Sequence, residues 1–254
     1  MEIRMIGSSP DCPRTVQHAS SYLINGTVVI DAGAIGFWNS PQAQSAVRHI
    51  FITHTHMDHI ASLPMLLDNT FDPATEPATL HASEESLAVL REHIFNYKVW
   101  PDFLTLEVAG RPFVKVSPLR AGEMLEVEGL RILPVPVNHV VPTVGYIVTD
   151  GRSTVVFGGD SGPTSQIWET ARDFVEPRTA FIETSFPNVM RQLAELSYHL
   201  TPELVGVECC KMPAMENIFI VHVKPRFREA IEAQLTALCI KGLRVIECDG
   251  VFSI

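Results

Sequence analysis

Between Ile50 and Ile60 the chain reads Ile-Phe-Ile-Thr-His-Thr-His-Met-Asp-His-Ile, and four of the six residues from His54 to His59 can bind a metal ion. The apolar run before them, Ile50 to Ile52, reads as a buried strand. Ile60 to Leu67 reads as the first turns of a helix. In extended chain, side chains two apart point the same way, so His54 and His56 converge. The chain then turns, and Asp58 and His59 face a second point nearby. This spacing suits two ions held close together rather than one. A metal-free turn of such density gains nothing, because protonated imidazoles repel one another.

The chain has 254 residues, 46% of them apolar, and no Gly/Ser tract, Pro-rich linker or charge run divides it. One domain over residues 1–254 is expected, with a large buried core. The apolar runs are too short to cross a bilayer, and the first residues carry Glu2 and no apolar signal region, which predicts a cytoplasmic protein without a membrane partner. Five cysteines, Cys12, Cys209, Cys210, Cys239 and Cys248, form no Cys-x-x-Cys and read as reduced thiols. The vicinal pair Cys209-Cys210 is a minor candidate for redox chemistry. The net charge is −10, with no Lys or Arg run, which disfavours long nucleic acid as a partner. Bound divalent ions would still allow a small anionic substrate.

Strands are expected over residues 1–7 and 22–31, with Asn25-Gly26 as a hairpin turn. Further strands are predicted at Phe113–Val116, Met124–Val127, Arg131–Val137, Val144–Val148, Thr154–Phe157 and Asn217–Val221, with Leu243–Cys248 last. Helices are predicted at Pro41–Arg48, Ser83–Phe95, 165–173, 188–195, Thr201–Lys211 and Arg226–Ile240.

The string His54-x-His56-x-Asp58-His59 resembles the signature of the metallo-β-lactamase superfamily of hydrolases. The resemblance implies an α/β fold, a four-layer αβ/βα sandwich with a dinuclear site at one edge of its two central sheets. His139, past an apolar strand, matches the superfamily's third histidine and would complete a site with His54 and His56. Asp160 resembles the aspartate shared between both ions. His222 resembles the last ligand, joining Asp58, His59 and Asp160. Asp31 resembles an aspartate behind the site that accepts a hydrogen bond from a ligand imidazole. A strand-capping turn is its plain alternative.

The diiron redox branch replaces the second histidine of the first motif with Glu, so His56 and Asp58-His59 favour hydrolysis. Four stretches are similar to class II 3′,5′-cyclic-nucleotide phosphodiesterases. They are residues 60–69, residues 93–103 with Phe95-Asn96 and Trp100-Pro101-x-Phe103, residues 137–146, and Gly159–Pro163 with Leu196–Pro202. This implies hydrolysis of a cyclic nucleotide such as cAMP to the nucleoside 5′-monophosphate. His199, outside the metal set, is then the expected acid for the 3′-alkoxide. The ligand types suit zinc by default, with manganese or iron also fitting. Phe95–Phe103 suits packing or a homodimer contact better than a base pocket. His18, His49, His81 and His93 read as ordinary structural or surface residues. The competing readings are a ribonuclease Z-like nuclease, a lactone or ester hydrolase, and a non-enzymatic scaffold that would have lost ligands.

Overall fold

In the computed structural model, which describes residues 1–8, 13–176 and 178–254, the apolar runs become strands of two sheets. The first sheet runs Val251–Ser253, Glu2–Met5, Tyr22–Ile24, Val28–Ile30, His49–Phe51, Thr79–Ser83, Lys115–Leu119. The second runs Leu243–Val245, Asn217–Val221, Arg178–Glu183, Thr154–Phe157, Val144–Thr149, Leu130–Pro136, Leu125–Val127. Pairing is parallel from Val28–Ile30 to Lys115–Leu119 and from Thr154–Phe157 to Leu243–Val245, and antiparallel elsewhere.

Strands buried on both faces are apolar at every position rather than alternating. Here successive residues enter different cores. Val28, Ile30 and Phe51 face the second sheet, where they pack with Tyr146, Phe157 and Phe181. Val29, Ile50 and Ile52 face outward onto Leu63, Leu66 and Leu87. In the second sheet Phe157, Phe181 and Phe219 turn inward. Val156, Ala180 and Ile220 turn outward onto Trp168, Val205 and Ile231. Helices Leu63–Thr70 and Glu84–His93 therefore cover one sheet, and Gln166–Ala171, Pro202–Lys211 and Arg228–Ala237 the other. The result is the four-layer αβ/βα sandwich. No described helix is long and apolar enough to cross a membrane.

Several boundaries move. The helix expected over Pro41–Arg48 is the single turn Pro41–Gln44, and the strand expected at Phe113–Val116 is Lys115–Leu119. The last predicted strand stops at Val245, and Val251–Ser253 pairs instead with Glu2–Met5 across the whole chain. Phe95 and Phe103 pack into the first outer core, so that segment is a packing element, with Tyr97 and Val99 exposed at its turn. Cys12 and most of the loop after Gly7 lie outside the described residues. Burial pushes the Cys209 thiol up to about 11, which argues against a reactive vicinal pair.

His81 is buried rather than superficial. It stacks on Phe51 with ring centroids 4.3 Å apart, and its Nε2 lies 3.0 Å from His49 Nδ1. Burial pushes His81 down to about 4 and lowers His49 as well, although Glu128, 3.9 Å from His49, partly opposes the second shift. Unfolded chain takes up protons at these rings that folded chain refuses. Their contribution is thus complete above the ordinary value of 6.5 and is lost as the pH falls toward 4. Replacing His81 by Phe keeps the stack and removes one titrating ring. The melting temperature of this variant should fall less than the parent's between pH 7 and pH 5; an equal fall would assign acid sensitivity elsewhere.

Candidate metal centre

The parallel strands of both sheets deliver their C-terminal ends to one edge. Asp31 follows Ile30, Asp160 follows the strand ending at Phe157, and His222 follows Val221. Asp31 and His222 hold left-handed backbone, with φ of 60° and 56°. Such strain at non-glycine residues clusters where structure serves a site.

His54 and His56 sit on extended chain with ring centroids 4.7 Å apart. His56 then caps the turn Met57–Ile60, which reverses direction and presents Asp58 and His59. That turn is bound to the chain on either side of the Tyr22–Ile30 hairpin: the Ser20 and Ala32 amides donate to the Asp58 and His59 carbonyls at 2.8 and 2.7 Å. Gly33 permits this approach, since a Cβ there would lie 1.9 Å from the Asp58 carbonyl oxygen.

The structure brings every expected residue together. Ligand atoms of His54, His56, His139 and Asp160 lie within 4.8 Å of one another, as do those of Asp58, His59, Asp160 and His222. Asp160 belongs to both groups. Behind them, buried Asp31 accepts from His59 Nδ1 at 2.7 Å and from the Thr53 hydroxyl, which in turn meets His54 Nδ1 at 3.0 Å. One carboxylate thereby orients two imidazoles and leaves both Nε2 atoms facing inward. Those two Nε2 atoms are buried without a hydrogen-bond partner. His59 Nε2 is 3.4 Å from Asp160 and His54 Nε2 is 3.9 Å away from it. Leaving buried polar atoms unmade costs about 1–3 kcal/mol each, so an ion between these groups fits the donors present. The clusters are able to bind divalent metal ions.

A sequence profile described as a beta-lactamase superfamily domain matches residues 27–223. The chain belongs to the β-lactamase superfamily. Its fold and its clustered histidine and aspartate donors agree with that membership. A probable 3′,5′-cyclic-nucleotide phosphodiesterase of Yersinia pestis is 23% identical over 210 residues, covering 73% of this chain and 60% of that protein. A ribonuclease Z of Mycobacterium bovis is 24% identical over 195 residues, 67% of this chain and 66% of that one. The chain thus spans less than two thirds of both relatives. The crystal structure of unliganded yeast PDE1 superposes with a TM-score of 0.77 at 16% identity, covering 96% of each chain, which shows a shared fold.

The two clusters differ electrically. Burial holds His54 well below the ordinary histidine range, lowers His56, and pushes His139 down to about 4, so these rings offer neutral lone pairs. Burial also opposes charge on His59 and His222, but Asp160 with Asp31 or Asp58 outweighs it and raises both. Asp58 and Asp160 are held low despite their burial, by His222 and His59. His222 Nε2 lies 2.8 Å from Asp58 and 3.3 Å from Asp160.

His199 lies at the rim, its ring stacked on His222 with centroids 5.5 Å apart. Sequence reasoning missed its partner. Glu183, the last residue of strand Arg178–Glu183, accepts from His199 Nδ1 at 2.8 Å and from the Leu200 amide at 3.0 Å. Ser185 was also missed; its hydroxyl meets His222 Nδ1 at 2.7 Å and so turns His222 Nε2 toward the carboxylates. The usable signal was the run Thr179–Ile182 ending in an acid, in line with the strands that Asp160 and His222 follow. On the other flank, an open groove of about 650 Å³ is lined by Thr53, Asn138, His139, Val140, Glu84 and Arg120.

Proposed function

We propose that this chain is a single-domain phosphodiesterase that opens 3′,5′-cyclic nucleotides such as cAMP to nucleoside 5′-monophosphates. His54, His56, His139 and Asp160 would hold one divalent ion and Asp58, His59, Asp160 and His222 a second, with zinc the favoured metal. Such a pair, when bound, supplies water of lowered pKa and Lewis-acid stabilisation of phosphoryl oxygens.

The carrying observation is the His199–Glu183 pair beside His222 of the second cluster. Water adds to phosphorus in line, the P–O3′ bond breaks, and the departing ribose oxygen needs a proton. Glu183 fixes the His199 ring through Nδ1 and balances its charge, which leaves Nε2 to deliver that proton to O3′. A carbonyl substrate with a better leaving group has less need of this acid. The groove beside His139 gives the nucleoside a place to lie. At the second cluster His59 and His222 would have to give up protons to hold an ion, so metal affinity should weaken as pH falls.

The ribonuclease relative supports a second reading with the same bond chemistry. The net charge of −10 speaks against it, because a grip on long RNA draws its affinity from basic contacts. A panel decides between them: metal-loaded protein is assayed on cyclic AMP, cyclic GMP, bis(p-nitrophenyl) phosphate and a precursor tRNA. Turnover of a cyclic nucleotide is expected. Cleavage of the RNA alone would favour the nuclease, and inactivity on every phosphodiester would reject phosphoryl chemistry.

A further inference from the structure

Two residues past His222, Lys224 lays its ammonium 5.2 Å from the centre of the Phe186 ring. Phe186 is buried, and its ring stands 5.9 Å from that of His199. Lys224 is half-buried and has no carboxylate partner among the described residues. Among the described residues its ammonium thus has an aromatic ring and no acid for a partner, beside a histidine and aspartate centre. A cation over an aromatic face is held in place while its remaining N–H groups stay free to donate.

We infer that Lys224 is a substrate-binding residue that donates to a non-bridging phosphoryl oxygen and holds the phosphate against the centre. The inference deepens the phosphodiesterase reading and rests on it for the identity of the substrate. The reaction increases the anionic charge. A cyclic diester carries one negative charge, and the monoester produced carries close to two at neutral pH. A fixed ammonium therefore grips the phosphoryl group more firmly as the ring opens. Neutral carbonyl substrates gain nothing from it, so Lys224 would select phosphoryl over acyl substrates.

Inorganic phosphate is the probe, titrated calorimetrically into metal-loaded parent, Lys224→Met, Lys224→Arg and Arg226→Met at low salt, with metal content measured in parallel. Lys224→Met should weaken phosphate binding about tenfold or more, and raise KM for a cyclic nucleotide similarly, with metal content unchanged. Lys224→Arg should stay within about threefold of the parent, since charge and donors persist. Arg226→Met, at an exposed cation over Phe227, should change affinity less than Lys224→Met. The inference fails if the parent does not bind phosphate, or if Lys224→Met binds within twofold of it. It also fails if Lys224→Arg loses as much as Lys224→Met, if Arg226→Met does so, or if metal is lost with the lysine. A parent that binds phosphate yet turns over no phosphodiester would remove the proposed function while leaving the four-protein comparison to decide on Lys224.

Discussion

Asp160→Ala should reduce hydrolysis by on the order of 10³-fold or more and lower the metal content at both clusters, not one. Asp160 is 2% exposed and is the only residue that both ligand groups contain among those described. Its Oδ2 faces His54 and His222 and its Oδ1 faces His59, so both groups meet at this one carboxylate. Alanine removes an acceptor from each group and the negative charge that a divalent ion needs. Burial leaves no room for an easy substitute from elsewhere. Asp160→Asn separates charge from shape: it keeps the volume and should lose nearly as much metal. Retention of full metal by Asp160→Ala would show that the two groups do not share this carboxylate.

His199→Ala should lower kcat on a cyclic nucleotide by about 10²–10⁴-fold with the metal content unchanged. The reason is the leaving group. A ribose 3′-oxygen departs poorly without a proton, whereas p-nitrophenolate departs readily. The same variant should therefore lose much less activity on bis(p-nitrophenyl) phosphate. Glu183→Gln should follow the same pattern more weakly, since it keeps the hydrogen bond to Nδ1 but not the charge behind the ring. His199 also lies near Glu183 and His222 in a third close group. Loss of metal on removing His199, or equal losses on both substrates, would make it a metal-site residue and not a proton donor.

Much of the two sheets was legible because strands apolar on both faces, such as the run Ile50–Ile52, carry that signal without context; the interior strands Thr79–Ser83 and Arg178–Glu183, which include His81, Arg178 and Thr179, were not expected. The metal loop was legible for a different reason: extended spacing brings His54 and His56 together, and the following turn needs only local chain. His139, Asp160 and His222 became readable through the family resemblance, which their places just past strand-like runs fit. Glu183 had no comparable mark. A lone glutamate is an ordinary surface residue, and its meaning comes from His199, 16 residues on, through a turn whose geometry depends on left-handed Tyr198. Ser185 is hidden in the same way. Strand Val251–Ser253 is too short for any period to register, and its partner lies at the opposite end of the sequence. His81 shows the converse, a polar residue placed in a core because His49 and Phe51 on the adjacent strand receive it.

The most direct measurement is anomalous diffraction from crystals of protein purified with added zinc, combined with elemental analysis of the same material. Two anomalous peaks per chain are expected, one among His54, His56, His139 and Asp160, the other among Asp58, His59, Asp160 and His222, with two equivalents of metal. A single peak, or metal held only at surface side chains away from Asp160, would contradict the account.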